Sequence, residues 1–282
     1  MSRTRSLASA LRRRLRGAPV EALQEQVDRM QRLNRRLNRA VTRLESRSPA
    51  ARRPKTPALP ADFDDEAKQI IEAVRPYTMT SPDKLFALVT AVRHVVDSGL
   101  EGDIVECGVW RGGSMHAVAR TLTARDAVRD LYLFDTFTGM TTPTERDVSL
   151  GGGKAADLLA QADKKAYVWA VASREDVEQG LATLSYPQDK LHLVEGPVEE
   201  TIPDGAPRRI AILRLDTDWY ESTRHELEHL YDRLVPGGIL IIDDYGTWQG
   251  SKEATDEFMA RLDRKPLMLR AGRSRIGIKP GA

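Results

Sequence analysis

Short apolar runs alternate with amphipathic segments from about residue 64 onward. The runs have the length of buried strands, and a strand pair is predicted near the C-terminus. They lie at 102–110, 130–137, 190–196, 209–218 and 237–244, with the strand pair within 267–279. Segments with helical spacing separate them, which predicts a doubly wound α/β sheet that binds ligands beyond the carboxyl ends of its strands.

Two of the predicted helices carry start signals. The helix over 81–99 has Ser81 as its N-cap and Pro82 at its first position, and it ends at a glycine. Ser173 begins another helix with an altered capping box, in which Asp176 takes the place of the usual Glu. Helical spacing also occurs at 114–124, 173–184, 222–235 and 251–262.

A heptad seam precedes the α/β pattern, at residues 20–45, with Asn34 at an a position. The seam residues are Val20, Leu23, Val27, Met30, Asn34, Leu37, Val41 and Leu44. A lone a-position Asn is typical of a dimeric coiled coil, so a basic helical arm over 1–47 is predicted to make a homo-oligomer. The alternatives are a single amphipathic helix that packs on its own domain or one that lies on an anionic surface. A Pro/Ala/Arg linker at 48–63 leads to the α/β domain at 64–282.

Charge divides the chain into two zones. Residues 1–60 carry 16 Lys and Arg against 4 Asp and Glu, whereas the remainder carries 27 against 37. Nucleic-acid binding is not expected, because no aromatic platform or known motif accompanies the basic arm.

No apolar run approaches the roughly 20 residues of a membrane span, and the first residues lack the apolar core of a secretory signal. The single cysteine, Cys107, fits a reducing compartment, so a cytoplasmic location is expected.

The first predicted strand runs into a glycine turn, VECGVWRGGS. Glycines at 108 and 112 allow the main chain to approach a ligand closely, and the following helix offers free N–H donors. The spacing matches neither a Walker A loop nor G-x-G-x-x-G, which disfavours a dinucleotide. The spacing E-x-G-x-x-x-G, which begins at Glu106, suits a small nucleoside with an amino-acid tail, such as S-adenosylmethionine. The alternative is a tight structural turn. Asp135 ends the second strand, where a carboxylate accepts hydrogen bonds from ribose hydroxyls, and this favours the nucleoside.

Carboxylates follow two other predicted strands. Asp216 ends the fourth strand, and Asp243 and Asp244 end the fifth. Three hard oxygen ligands at one sheet edge are suited to Mg²⁺, and without a cation they would raise one another's pKa values. Asp218, two residues after Asp216, is placed to act as the general base for a hydroxyl. The alternative is that these aspartates cap turns.

The sequence HELEH at 225–229 matches the H-E-x-x-H motif of zinc proteases. A helical projection places His225 and His229 about 160° from the apolar face of their helix, toward solvent. A protease needs both histidines in a buried cleft with a third ligand. We therefore interpret them as exposed polar residues and reject a protease.

Five ordered motifs resemble the macrocin O-methyltransferase (TylF-type) family. They are RPYTMTSPDKL, GDIVECGVWRGGSM, LYLFDTFTGM, LRLDTDWYEST and VPGGILIIDDYGTWQGSKEATDEF. The resemblance covers about residues 75–260 and leaves the arm at 1–60 outside it. It implies a Rossmann-like class I methyltransferase fold that uses S-adenosylmethionine and Mg²⁺. Characterised members methylate sugar hydroxyls on macrolide and aminocoumarin antibiotics.

The resemblance also implies residue roles: Asp216, Asp243 and Asp244 would hold the metal, and Asp218 would be the base. The candidate cofactor contacts are Tyr77, Thr78, Met79, Glu106, Gly108, Trp110, Arg111, Gly112, Ser114, Asp135 and Ser173. Trp248 lies where a wall of the acceptor site is expected. The segment EGPVEET and the lid-like segment 138–166 depart from the family pattern, which leaves the acceptor open.

We therefore predict an S-adenosylmethionine-dependent, Mg²⁺-assisted O-methyltransferase. Its expected partner is a small-molecule or glycan acceptor that offers a sugar hydroxyl, on a glycosylated natural product or a bacterial glycan. The alternatives are the same chemistry on a phenolic or catechol-type hydroxyl and an inactive cofactor-binding scaffold. The intact set of aspartates argues against the scaffold, because burying unpaired carboxylates is costly.

Overall fold

The computed structural model describes residues 58–163 and 167–281. Its α-helices are α1 (Asp65–Val74), α2 (Pro82–Asp97), α3 (Gly113–Thr123), α4 (Ala155–Gln161), α5 (Arg174–Leu181), α6 (Val198–Thr201), α7 (Tyr220–Leu230) and α8 (Gln249–Arg261). Its strands are β1 (Asp103–Cys107), β2 (Leu131–Asp135), β3 (Leu191–Glu195), β4 (Ile210–Leu215), β5 (Leu234–Ile242), β6 (Leu267–Ala271) and β7 (Ser274–Ile278).

The strands form one sheet in the order β3-β2-β1-β4-β5-β7-β6. β1 to β5 run parallel, and β7 pairs antiparallel with both β5 and β6. The strand order changes direction between β1 and β4, and in such sheets the ligand crevice opens at the carboxyl ends of those two strands. The predicted doubly wound α/β sheet is confirmed.

Helices cover both faces of the sheet. One apolar layer joins α2, α3 and α5 to the face that carries Ile104, Ile212 and Ile241. The other joins α6, α7 and α8 to the face that carries Val105 and Leu213. Successive side chains of a strand point to opposite faces, so strands covered on both sides are apolar at nearly every position.

The predicted strands and major helices are all present. β5 begins earlier than predicted, at Leu234. Ser81 is the N-cap of α2, although its side chain makes no capping hydrogen bond. Ser173 caps α5 and accepts a hydrogen bond from the main-chain N–H of Asp176 at 3.2 Å. The helices α1, α4 and α6 were not predicted. For α4 and α6 the reason is their length, because such short helices show little periodicity.

The predicted coiled-coil arm at 1–47 lies outside the described residues, so self-association stays a prediction. Of the predicted linker, only the last residues are described. There Phe63 is buried and stacks on Phe86, with ring centroids 4.0 Å apart. No helix in the described part of the chain is long and apolar enough to cross a membrane.

Candidate active site

A cavity of about 250 Å³ opens at the carboxyl ends of the central parallel strands. Eight of the predicted site residues line it: Met79, Gly108, Trp110, Asp135, Asp216, Asp218, Asp243 and Asp244. The glycine turn after β1 and the aspartates after β4 and β5 therefore share one cavity. This is the crevice at which doubly wound sheets bind their ligands.

The three predicted metal ligands lie together because β4 and β5 are parallel neighbours. Leu215 pairs with Ile242 at the ends of these strands, so Asp216, Asp243 and Asp244 leave the sheet at the same level. One oxygen from each aspartate lies within 4.8 Å of the others. Among the residues that the structure describes, no other group of three or more His, Cys, Asp or Glu side chains has this arrangement.

Arg214 is one of the residues of this site that the sequence analysis missed. Its side chain is 3% exposed, and its guanidinium donates to Glu106, to Asp216 at 2.7 Å and to Asp243 at 2.6 Å. Glu106 and Arg214 are register partners on β1 and β4, so their side chains share one face of the sheet. An arginine inside the apolar run AILRL is a signal that could have been used, because a buried guanidinium requires carboxylate partners.

A second cation, Lys84 of α2, reaches one of the same aspartates, Asp243. Its ammonium contacts the Asp243 carboxylate and lies 3.3 Å from the Asp243 main-chain oxygen. Although Asp243 is buried, Arg214 and Lys84 hold its pKa below the usual value. Burial raises the pKa of Asp216 to about 6 and, with Asp218 nearby, raises that of Asp244 well above its usual value. The cluster therefore has more carboxylates than cations to balance them.

Asp218, the predicted base, has an unusual main-chain conformation. Its φ of 67° lies in the left-handed region, which a non-glycine residue adopts only when its surroundings hold it there. One carboxylate oxygen accepts a hydrogen bond from the Trp248 indole N–H at 2.6 Å. Burial, with the charge of Asp216 in second place, raises the pKa of Asp218 to about 7. A carboxylate with such a pKa is suited to proton transfer near neutral pH.

Asp135 organises the glycine turn. Its carboxylate accepts hydrogen bonds from the main-chain N–H groups of Val109 at 2.8 Å, Trp110 at 3.0 Å and Phe137 at 2.8 Å. It also lines the cavity, and its predicted contact with a ribose stays a prediction. Gly108 has a φ of 80°, and a Cβ there would lie 2.1 Å from the Asp216 carbonyl oxygen. Only glycine allows this contact between the ends of β1 and β4.

Seven of the predicted cofactor residues do not line the cavity: Tyr77, Thr78, Glu106, Arg111, Gly112, Ser114 and Ser173. Tyr77 stacks on His116 of α3, with ring centroids 4.3 Å apart. Arg111 pairs with Asp176 at 2.6 Å and donates to the Pro76 carbonyl at 2.7 Å, which ties α5 to the segment before α2. These contacts brace the glycine turn, and the direct cofactor contacts of these residues stay predictions.

Trp248 anchors the segment that the sequence analysis described as lid-like. It packs edge-on against Trp219, with ring centroids 5.0 Å apart, and the two tryptophans form one apolar cluster with Ala155 and Leu159 of the segment. Asp147 is buried and accepts a hydrogen bond from the Tyr220 N–H at 2.8 Å. The described part of the segment therefore has defined contacts to α7 and to the start of α8.

The HELEH histidines are half-buried, so the interpretation of them as exposed residues was wrong. The His225 ring lies 3.1 Å from the Ile202 carbonyl, and the two histidine rings lie 4.1 Å apart. The reason is that the chain at the end of α6 packs over this part of α7. Neither histidine belongs to a group of three potential metal ligands within the described residues.

Comparison with known proteins adds to this geometry. The family model for the macrocin-O-methyltransferases (TylF) matches residues 11–268. The chain belongs to this family. It is therefore a methyltransferase, and the resemblance based on the five motifs is confirmed. Because the match begins at residue 11, the inference that the arm at 1–60 lies outside the resemblance was wrong.

This TylF-family chain is similar to two characterised relatives and to one solved structure. The demethyldecarbamoylnovobiocin O-methyltransferase of Streptomyces niveus is 32% identical over 190 residues, which cover 66% of this chain and 69% of the relative. The 8-demethyl-8-(2,3-dimethoxy-alpha-L-rhamnosyl)-tetracenomycin-C 4'-O-methyltransferase of Streptomyces olivaceus is 34% identical over 187 residues, 66% of this chain and 68% of the relative. The structure of the O-methyltransferase NovP has a TM-score of 0.64 at 29% identity, over 73% of this chain and 83% of that one. The predicted class I methyltransferase fold is confirmed.

Proposed function

We propose that this TylF-family enzyme uses S-adenosylmethionine and Mg²⁺ to methylate a sugar hydroxyl of a glycosylated natural product or bacterial glycan. The name of one relative supports the acceptor class, since that enzyme acts on a rhamnosyl tetracenomycin. The family and fold support the methyl donor. The observation that carries the proposal is the group of three aspartates beside Asp218, in a cavity shared with the glycine turn.

The side chains at the end of β4 and β5 fit a magnesium ion. Asp216, Asp243 and Asp244 offer only oxygen donors, which Mg²⁺ prefers to nitrogen or sulfur. One oxygen of Asp244, Oδ2, is buried without a hydrogen-bond partner among the described residues, and a cation would satisfy it. When bound, Mg²⁺ supplies positive charge that favours deprotonation of an acceptor hydroxyl.

In the proposed mechanism, residues of the chain bind and orient the methyl donor and the acceptor, and one of them accepts a proton. Asp218 takes the proton of the acceptor hydroxyl, and the Trp248 N–H orients it by donating to one of its carboxylate oxygens. Gly108 and Asp135 shape the part of the cavity proposed for the methyl donor. Arg214 holds Asp216 and Asp243 in place, so that the site is organised before the acceptor binds.

Calorimetric titration with S-adenosylhomocysteine, with Mg²⁺ and with EDTA, tests the methyl donor. Methyl transfer is then screened on demethyldecarbamoylnovobiocin, other glycosides and catechols, which separates a sugar from a phenolic acceptor. We expect micromolar binding and turnover that EDTA abolishes and Mg²⁺ restores. Asp216→Asn should remove turnover and metal dependence together, whereas the exposed Asp263→Asn should behave as wild type. Turnover that persists in EDTA would exclude the metal role, and the absence of any binding would exclude the methyl donor.

A further inference from the structure

Glu226, the first of the two glutamates in the HELEH sequence, has no part in the mechanism above, yet it is fully buried. It lies on the face of α7 that packs against the sheet, next to Leu227 of the apolar layer. Its Oε2 has no hydrogen-bond partner among the described residues. Burial raises its pKa well above the usual value. An apolar side chain at this position would avoid the cost of burying a carboxyl group.

The hydrogen bond that Glu226 accepts leads to the active site. Thr217 Oγ1 donates to Glu226 Oε1 at 2.9 Å. Thr217 lines the cavity and stands between Asp216, a proposed metal ligand, and Asp218, the proposed base. Glu226 therefore holds the residue that connects two functional aspartates.

The turn from Asp216 to Asp218 needs such support because of its conformation. Main-chain bonds hold it at both ends: the Asp216 N–H donates to the Cys107 carbonyl at 2.8 Å, and the Trp219 N–H donates to the Thr217 carbonyl at 2.8 Å. Asp218 is nevertheless left-handed, a conformation that persists only where the surroundings determine it fully. The Thr217 hydroxyl anchors the middle of the turn to α7 from its side chain, and the Ser222 hydroxyl of the same helix donates to the Thr217 carbonyl at 3.4 Å.

We infer that Glu226 is a positioning residue: through Thr217 it fixes the Asp216–Asp218 turn and thereby the direction of the Asp218 carboxylate. The inference rests on the proposed function for the catalytic role of Asp218. The structural link between Glu226 and Asp218 can be measured without cofactor, metal or acceptor. The Trp248 indole N–H is the natural reporter, because it donates to Asp218 at 2.6 Å.

The experiment compares indole N–H resonances in nitrogen–proton correlation spectra of the full chain. The chain has four tryptophans, and Trp248→Phe assigns the signal of interest. Glu226→Leu and Thr217→Val each remove one side of the hydrogen bond, while Glu226→Gln keeps an acceptor oxygen. Thr121→Val is the matched control, since it removes a buried threonine hydroxyl that donates to the Ala117 carbonyl within α3.

We expect the Trp248 signal to move in the Leu and Val variants and to stay in place in Glu226→Gln and Thr121→Val. In turnover assays, kcat should fall about tenfold in Glu226→Leu and in Thr217→Val, with KM within about twofold of wild type. The double variant should lose no more than either single variant, because both remove one contact.

An unmoved Trp248 signal in both Thr217→Val and Glu226→Leu would overturn the inference, as would a Glu226→Gln variant as impaired as Glu226→Leu. If Glu226→Leu does not fold, Thr217→Val probes the same hydrogen bond from the half-buried side. Failure of the proposed function has a different signature, because wild-type protein would then not bind S-adenosylhomocysteine while the Trp248 comparison would be unaffected.

Discussion

Replacing Arg214 by methionine tests whether the buried charge cluster holds this site together. The substitution keeps an unbranched side chain of similar length and removes the positive charge between Glu106, Asp216 and Asp243. Lys84 then remains as a cation at the cluster, but among these three carboxylates it contacts only Asp243. Glu106 and Asp243 lose this donor in an environment with little access to water, whereas Asp216, which is 25% exposed, loses it at the wall of the cavity.

The size of the effect follows from burial. The Arg214 side chain is 3% exposed, and those of Glu106 and Asp243 are 1% and 8% exposed. Removing one partner of such a buried pair costs about 3–5 kcal/mol in the free energy of unfolding. Arg93 offers a matched control, since it also pairs with more than one carboxylate, but its partners Asp64 and Glu66 are 47% and 39% exposed. Arg93→Met should therefore cost at most about 1 kcal/mol.

The assay is chemical denaturation at pH 7 in EDTA, followed by tryptophan fluorescence, with unfolding free energies obtained by linear extrapolation. We expect Arg214→Met to unfold at a clearly lower denaturant concentration than Arg93→Met. Equal losses in the two variants would refute the reasoning, because they would mean that water screens the Arg214 cluster as well as it screens a surface pair.

Two further predictions concern the glycine turn and the helix behind it. Gly108→Ala should lower the free energy of unfolding by about 2–5 kcal/mol, because it adds a left-handed alanine and a clash with the Asp216 carbonyl. The control Gly99→Ala, at a φ of 62° with open space around it, should lower it by only about 1 kcal/mol. Equal losses of the two variants in a denaturation assay would contradict the steric argument. Burial lowers the pKa of His116 from 6.5 to about 4, so the unfolded chain binds a proton first as the pH falls. Wild type should therefore lose about 2 kcal/mol more stability between pH 7 and pH 4.5 than His116→Phe, and parallel pH profiles of the two proteins would exclude this.

Much of the fold could be predicted from local patterns. Runs such as DIVEC and IAILRL have the apolar character of strands covered on both faces, and the N-cap at Ser81 and the capping at Ser173 marked the starts of α2 and α5. Helices too short for a full period, such as α6, had no comparable signal. The half-burial of His225 also escaped the helical projection, because it depends on Ile202 packing over α7, and a projection contains no neighbouring segments.

The sequence by itself determined the order of strands and helices, the glycine turn and the positions of the aspartates at strand ends, because each of these is encoded within a few neighbouring residues. Only the tertiary structure decided which of them meet. The strand order and register brought β1 beside β4 and β4 beside β5, and so joined Glu106 and Asp243 through Arg214. The packing of α7 turned Glu226 inward to Thr217. These contacts link residues far apart in the chain, and their existence depends on long-range pairing and burial that no local pattern contains.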